Sequence, residues 1–99
     1  MSDPLSGVWS AAVTPLHDDL TVNLDAMVAH HEWLLNNGCD GVAVLGTTGE
    51  ANSFSTSERL EVIAAAARSG IDKQRLMIGT GCCALPDTIR LTRAALDAG

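Results

Sequence analysis

Three short apolar segments alternate along the chain with longer segments of helical periodicity. Residues 7–13, 41–45 and 76–78 are mostly small or apolar, and each segment is too short to form a helix of its own. The second segment, Gly-Val-Ala-Val-Leu, contains no polar side chain, which is typical of strands buried on both faces of a parallel sheet. The pattern therefore predicts three strands with helices between them.

The interval after the first strand carries the signals of a helix over 21–37. Asn23 is placed to act as its N-cap, and Gly38 can end it in a left-handed turn. Its apolar positions recur at helical spacing and form one stripe, which consists of Leu24, Met27, Val28, His31, Leu34 and Leu35.

Two further helices follow the second and third strands. A capping box, Ser55-x-x-Glu58, opens the second helix, which is predicted to run to about Ser69. We expect its inward face to consist of Leu60, Ile63, Ala64 and Ala67. Pro86 suits the first turn of the third helix. This helix is predicted to end near Gly99 and to carry Ile89, Arg90, Arg93 and Leu96.

The order β-α-β-α-β-α favours an α/β fold with a parallel sheet, because each unit has the ~30 residues of a strand and its crossover helix. A (β/α)8 barrel typically needs ~250 residues, so the chain would supply about three of its eight units. A doubly wound sheet, which normally has about five strands, is the competing architecture. We therefore expect residues 1–99 to be the N-terminal part of one (β/α)8 barrel domain, and hence to be truncated.

Composition narrows the class of protein further. The formal net charge is -6, which argues against nucleic-acid binding, and no apolar run approaches the ~20 residues that span a membrane. Residues 1–4 do not begin a signal peptide. The three cysteines, Cys39, Cys82 and Cys83, form neither a disulfide framework nor a metal clamp. We expect a cytoplasmic protein that needs no metal and no cofactor.

The segment with candidate chemistry is Gly46-Thr47-Thr48-Gly49-Glu50, directly after the second strand. Ligands of parallel α/β folds bind at the carboxyl ends of the strands. Two glycines permit a tight turn, and two hydroxyls with exposed backbone N–H groups suit a small carboxylate. The segment lacks the lysine of a phosphate-binding loop. On composition alone, an ordinary strand-to-helix turn with capping threonines remains the alternative.

The motif is similar to that of the dihydrodipicolinate synthase and N-acetylneuraminate lyase superfamily. The resemblance includes the strand end Ala11-x-x-Thr14-Pro15 and the third turn, Gly79-Thr80-Gly81, and it extends over about 7–99. It implies a (β/α)8 barrel, usually a homotetramer, in which pyruvate forms a Schiff base with a lysine on a later strand. A tyrosine would shuttle protons, and an aldehyde or imine-forming co-substrate would meet the pyruvate carbanion equivalent.

The resemblance also implies roles for individual residues. Thr48 would be the main contact of the pyruvate carboxylate. Thr47 would contact the substrate and pass a hydrogen bond to tyrosine hydroxyls, which makes it the candidate catalytic residue. Gly46 and Gly49 would shape the turn, and Glu50 would be a buried, hydrogen-bonded scaffold carboxylate.

The bond-forming groups of such a site are missing from the sequence. There is no tyrosine, and the one lysine, Lys73, lies before the third strand, at the opposite end from the motif. We therefore expect a lyase of the class I aldolase family whose first 99 residues are inactive alone. A non-catalytic βα fragment and a small-carboxylate-binding module are the alternatives.

Other candidate residues are expected to have structural roles. His30 and His31 would be satisfied histidines on different sides of the first helix, and Cys82 and Cys83 would be small buried side chains. The paired threonines favour the synthase-like branch of the superfamily. Cys82 and Cys83 stand where synthases often carry an Asn-x-Thr pattern near the allosteric lysine site, so feedback inhibition by lysine is not expected.

Overall fold

The computed structural model describes residues 6–99, and the prediction that 1–4 do not begin a signal peptide lies outside them. The predicted order of three strands and three helices is confirmed. The strands are β1 (Trp9–Ala11), β2 (Gly41–Val44) and β3 (Leu76–Ile78); the helices are α1 (Leu24–Asn36), α2 (Thr56–Arg68) and α3 (Leu85–Asp97). Two short 3₁₀ helices, Ala51–Ser53 and Lys73–Arg75, precede α2 and β3.

The three strands form a parallel sheet in the order β1-β2-β3. Trp9 pairs with Gly41 at one end, and Val44 pairs with Ile78 at the other. β1 is shorter than the predicted 7–13, because the backbone pairs with β2 over only three residues. All three carboxyl ends meet at one edge of the sheet, as the placement of the motif requires.

Local signals for α1 and for the start of α2 are confirmed. The Asn23 side chain accepts a hydrogen bond from the Ala26 amide at 3.0 Å. In the capping box, the Glu58 amide donates to Ser55 Oγ at 3.2 Å and the Ser55 amide donates to Glu58 Oε1 at 3.0 Å. These bonds satisfy amide groups that a helix leaves unpaired at its first turn.

The predicted inward face of α2 is wrong except at Ile63. Leu60, Ala64 and Ala67 are only half-buried, whereas the buried positions are Arg59, Val62, Ile63, Ala65 and Ala66. The helix contacts both α1 and α3, so its buried arc is wide and is centred on the stripe that begins at Arg59. Because arginine is usually exposed, Arg59 at the start of this stripe did not indicate a buried face of α2 in the sequence.

All three helices lie on one face of the sheet. α2 packs between α1 and α3, and a cavity of about 290 Å³ is lined jointly by α2, α3 and the β3 residues Leu76 and Ile78. A doubly wound sheet would carry later helices to the opposite face. That opposite face is bare here: Ala11 is exposed, and Met77 retains 47% of its accessible surface. The arrangement is that of consecutive units of a (β/α)8 barrel, whose inner face is closed only by its remaining strands.

Candidate functional site

The turn after β2 begins with a residue in a left-handed conformation. Leu45 has φ of 59° although its side chain is buried at 2% exposure. Such a backbone costs a leucine about 1–2 kcal/mol, and residues of this kind cluster at functional sites. At Leu45 the backbone changes direction from β2 into the Gly46–Glu50 segment. Nothing in the residue type of Leu45 indicates this conformation.

The turn is closed by its own backbone. The Glu50 amide donates to the Thr47 carbonyl at 3.0 Å, and the Ala51 amide donates to the Gly46 carbonyl at 3.3 Å. Glu50 is also left-handed, with φ of 57°, and the 3₁₀ helix Ala51–Ser53 starts directly after it. The position of the two threonines is therefore determined by hydrogen bonds within the six residues 46–51.

The end of β1 supports the turn from below. Thr14, which is buried, donates from Oγ1 to the carbonyl of Gly49 at 2.8 Å. A Cβ atom at position 49 would lie 3.1 Å from the Ala12 carbonyl oxygen and 3.2 Å from Thr14 Oγ1. A side chain at position 49 would therefore be tightly packed against the end of β1, and the threonine of the Ala-x-x-Thr-Pro strand end has a specific partner.

The end of β3 supports the turn from the side. The Gly79 amide donates to the Val44 carbonyl at 2.8 Å, and a Cβ atom at position 79 would overlap the Leu45 carbonyl group. The two strand ends can approach this closely only with glycine at position 79. The Gly-Thr-Gly turn thereby becomes one wall of the site.

A cleft of about 470 Å³ opens between these two turns. It is lined by Leu45, Gly46, Thr47, Glu50, Ala51, Asn52, Ser53, Gly79 and Gly81. The structure thus brings Gly46, Thr47 and Glu50 together with the third turn. Thr47 and Thr48 both have exposed side chains, but only Thr47 lines the cleft, while Gly49 is buried beneath it.

The expectation that Glu50 is a buried, hydrogen-bonded carboxylate is wrong for this chain. Glu50 is exposed, and among residues 6–99 its carboxylate receives no hydrogen bond. The physical reason is that Glu50 lines a cleft that the three strands of residues 6–99 leave open to solvent. Its contribution here is backbone geometry and a negative charge at the rim.

Arg59 is the buried charge that the sequence analysis missed. Its side chain is 3% exposed, and Nη1 donates to the carbonyl of Gly81 at 2.6 Å. Its Nε is buried without a partner in the described part of the chain. The residue ties the first turn of α2 to the loop after β3, and thus to a residue that lines the cleft. The sequence feature that indicates its burial is helical spacing, because Arg59 lies three, four and seven residues before Val62, Ile63 and Ala66.

The remaining candidates lie outside the cleft. Lys73 is exposed and precedes β3, so the length of that strand separates it from the cleft, as predicted. Cys82 is half-buried and Cys83 exposed, so the expectation of two small buried side chains is wrong. Both residues lie in the loop before α3, outside the buried core.

His31 is buried but is not satisfied, which corrects the sequence-based expectation. It is 1% exposed, and its Nδ1 has no hydrogen-bond partner within residues 6–99. Burial, with a smaller contribution from the charge of His30, lowers the pKa of His31 to about 4. His30 itself is half-buried and stacks on Trp33, which is 59% exposed.

No group of three or more potential metal-ligating side chains occurs within residues 6–99. In the same part of the chain, none of the helices has the length and apolar character needed to cross a bilayer. The candidate site is thus built from hydroxyls, backbone amides and one rim carboxylate.

Three consecutive βα units with a cleft at the carboxyl edge of the sheet are the arrangement of the (β/α)8 barrels, whose active sites lie at that edge. Within that class the chain belongs to the Dihydrodipicolinate synthetase family, whose model matches residues 4–99. The predicted resemblance and the predicted barrel fold are confirmed.

Three similar proteins illustrate the match. An uncharacterized DapA-like lyase of Chloroflexus aurantiacus is 40% identical over 102 residues, covering 100% of this chain and 33% of the relative. The crystal structure of dihydrodipicolinate synthase from Agrobacterium tumefaciens superposes with a TM-score of 0.87 at 38% identity, covering 94% of this chain and 32% of that one. YagE, a prophage protein of the dihydrodipicolinic acid synthase family from E. coli K12 solved with pyruvate, gives a TM-score of 0.89 at 26% identity. That superposition covers 96% of this chain and 32% of YagE.

The chain spans about a third of the length of the relatives that it matches. It corresponds to their N-terminal portion, which comprises the first βα units of the barrel. Relatives of this family are lyases, which is consistent with the expected enzyme class.

Proposed function

We propose that the cleft beside Gly46–Glu50 binds the carboxylate of pyruvate, and that residues 1–99 are the N-terminal part of a pyruvate-dependent carbon–carbon lyase. The observation that carries this proposal is the exposed Thr47 hydroxyl, held by a backbone-closed turn inside a cleft at the carboxyl edge of the sheet. The pyruvate bound to YagE, a member of the same family, supports the choice of ligand.

The turn contributes orientation to the reaction. A carboxylate in the cleft can accept hydrogen bonds from threonine hydroxyls, which are short and strong because the acceptor is charged. Fixing the carboxylate determines which face of the neighbouring carbon meets an aldehyde. In this proposal Thr47 and Thr48 bind the substrate, and Thr47 passes a hydrogen bond to the tyrosine that shuttles protons. Gly46 and Gly49 shape the turn.

Residues outside this chain supply the covalent chemistry. A lysine amine condenses with the pyruvate ketone, water leaves, and the resulting Schiff base accepts electrons when a methyl proton is removed. Lys73 does not fill this role, because β3 separates it from the cleft. We further propose that the intact protein is cytoplasmic and homotetrameric and that its second substrate is an aldehyde or an imine-forming compound.

Reductive trapping tests whether the lysine that forms the Schiff base lies outside residues 1–99. The chain alone, incubated with pyruvate and borohydride, should form no covalent adduct that mass spectrometry detects. The same chain joined to the remaining two-thirds of the Chloroflexus relative should form one, at a lysine of the joined part. An adduct at Lys73, or none in either protein, would refute the proposal.

Hydroxyl deletion in the joined protein tests the turn itself. Each of Thr47→Val and Thr48→Val removes a hydrogen bond to a charged group, which should lower kcat/KM for pyruvate roughly 10- to 100-fold. Thr47→Ser keeps the hydroxyl and should retain most of the activity. Thr21→Val is the matched control, because Thr21 is exposed, does not line the cleft, and donates its hydroxyl to Asp19. Equal effects of Thr21→Val and Thr47→Val would show that the turn has no special role.

A further inference from the structure

The loop between β3 and α3 carries two adjacent thiols beside the cleft. Cys83 is exposed, Cys82 is half-buried, and both are free. Gly81, the residue before them, lines the cleft. The third thiol, Cys39, lies in the connection between α1 and β2, at the opposite edge of the sheet. The chain therefore contains one vicinal dithiol next to a residue that lines the cleft and one distant thiol for comparison.

Hydrogen bonds hold this loop on both sides of the first cysteine. The carbonyl of Gly81 accepts from Arg59 Nη1 at 2.6 Å. The Cys82 amide donates to Thr88 Oγ1 at 3.0 Å, and the same hydroxyl lies 3.3 Å from the Cys82 carbonyl oxygen, to which it can donate. The backbone of Cys82 is thus hydrogen-bonded to α3, and the carbonyl of Gly81 is hydrogen-bonded to α2. These contacts connect the backbone at the dithiol with both helices.

A disulfide between neighbouring residues closes a ring across a single peptide group. Adjacent Cα atoms are about 3.8 Å apart across a trans peptide, which is shorter than the usual ~4.4–6.8 Å of disulfide-linked residues. The bond is therefore strained and easily reduced, and strained, exposed disulfides belong to the labile, regulatory kind. The ring includes the carbonyl carbon of Cys82, so the contact between the Cys82 carbonyl and Thr88 is the one that we expect the closure to change.

We propose that Cys82 and Cys83 are a redox modification site, a vicinal dithiol that hydroperoxides convert reversibly to a disulfide. One thiolate attacks the peroxide, which gives a sulfenic acid and releases the alcohol or water. The second thiolate then displaces the sulfenic hydroxyl, forming the S–S bond with loss of water. The protein loses two electrons and two protons, and the peroxide is reduced. A dithiol reductant reverses the reaction.

Oxidation changes the cleft through Gly81. Rotation of the Cys82 carbonyl breaks its contact with Thr88, and the displacement passes to Gly81, which Arg59 holds at the wall of the cleft. The consequence for pyruvate binding rests on the proposed function. The oxidation and the movement of the loop do not depend on pyruvate binding. The redox site and the proposed function can therefore be refuted separately.

Peptide mapping of the chain tests the modification. Trypsin cleaves after Arg75 and Arg90, so both cysteines lie in peptide 76–90 and Cys39 lies in another. After one equivalent of hydrogen peroxide and alkylation, peptide 76–90 should have lost two hydrogens and resist alkylation, while Cys39 is alkylated. Dithiothreitol should restore both thiols. Equal oxidation of Cys39, or full alkylation of peptide 76–90 after peroxide, would overturn the proposal.

Single variants distinguish the vicinal bond from other oxidation products. Cys82→Ser should leave a sulfenic acid at Cys83 that dimedone traps, and neither Cys82→Ser nor Cys83→Ser should give the internal bond. Cys39→Ser, the matched control, should oxidise like the natural chain. Circular dichroism of each variant checks that it is folded. Disulfide-linked dimers through Cys83 in the natural chain, in place of the internal bond, would contradict the assignment.

Amide chemical shifts test whether oxidation reaches the cleft, without any need for pyruvate. In the natural chain, oxidation should shift the amide signals of Gly79, Gly81 and Thr47. The amide signal of Gly70, at the opposite edge of the sheet, should not change. Shifts confined to residues 82–84 would show that the disulfide forms without affecting the cleft, and would overturn the coupling.

Discussion

The buried histidine of α1 makes the stability of the fold dependent on pH. His31 occupies the apolar stripe beside Met27, both are almost fully buried, and Nδ1 of His31 has no partner in the described residues. Burial is the main cause of its lowered pKa, and the charge of His30 adds to it. Because the folded state disfavours protonated His31, protons bind preferentially to the unfolded chain. Stability must therefore fall as the pH falls below the unfolded pKa of His31.

The magnitude follows from the two pKa values. A shift from 6.5 to about 4 corresponds to roughly 3 kcal/mol, since each pKa unit is worth about 1.4 kcal/mol. Most of this range falls between neutral pH and pH 5, where linkage predicts a loss of roughly 2 kcal/mol in the free energy of unfolding. Below about pH 4 both states are protonated at this position, so its contribution no longer changes.

Urea unfolding followed by circular dichroism between pH 7 and pH 5 measures the effect. His31→Leu removes the titrating group from an apolar position, so its free energy of unfolding should lose this pH dependence. His30→Gln, one residue away on a half-buried position, should retain most of it. The His31 ring protons should show no titration in NMR spectra above pH 5. Equal pH slopes for the natural chain and His31→Leu would refute the reasoning.

Two pairs of substitutions, each a test with its control, examine the packing that positions the cleft. Gly79→Ala places a methyl group against the Leu45 carbonyl and should destabilise the fold by about 2–4 kcal/mol, measured by thermal unfolding. Gly81→Ala, where a Cβ meets nothing within 4 Å, should change little; equal losses at both positions would contradict this account. Thr14→Val removes the buried hydrogen bond to Gly49 and should cost about 1–3 kcal/mol, whereas Thr14→Ser keeps the hydroxyl. A neutral Thr14→Val would mean that this bond does not hold the turn.

Local signals explain why the elements could be predicted from the sequence. The capping box of Ser55 and Glu58 and the Asn23 cap depend on groups within three residues, so sequence spacing determines them. The apolar run of β2 is similarly local. The length of β1 was overestimated because pairing with β2, which is not local, determines where that strand ends.

The errors occur where a side chain depends on distant residues. Arg59 was not recognised as buried because its partner, the Gly81 carbonyl, lies 22 residues away and arginine is usually exposed. Glu50 was placed in the interior because the resemblance implied it, whereas it is exposed in a cleft that residues 6–99 leave open. The left-handed backbone of Leu45 could not be predicted, since leucine rarely adopts it and nothing local in the sequence indicates it.

The exposure of the site has the same cause as the bare face of the sheet. Ala11 and Met77 lie on the face opposite the helices and remain accessible, and both outer strands have one unpaired edge within residues 6–99. Parallel sheets are stable when both faces are covered, and the relatives are about three times as long as this chain. In a closed barrel, further strands would cover this face and wall the cleft beside Thr47. The threonines are therefore held in place by local bonds, while the depth and dryness of their pocket depend on residues that pack against the bare face.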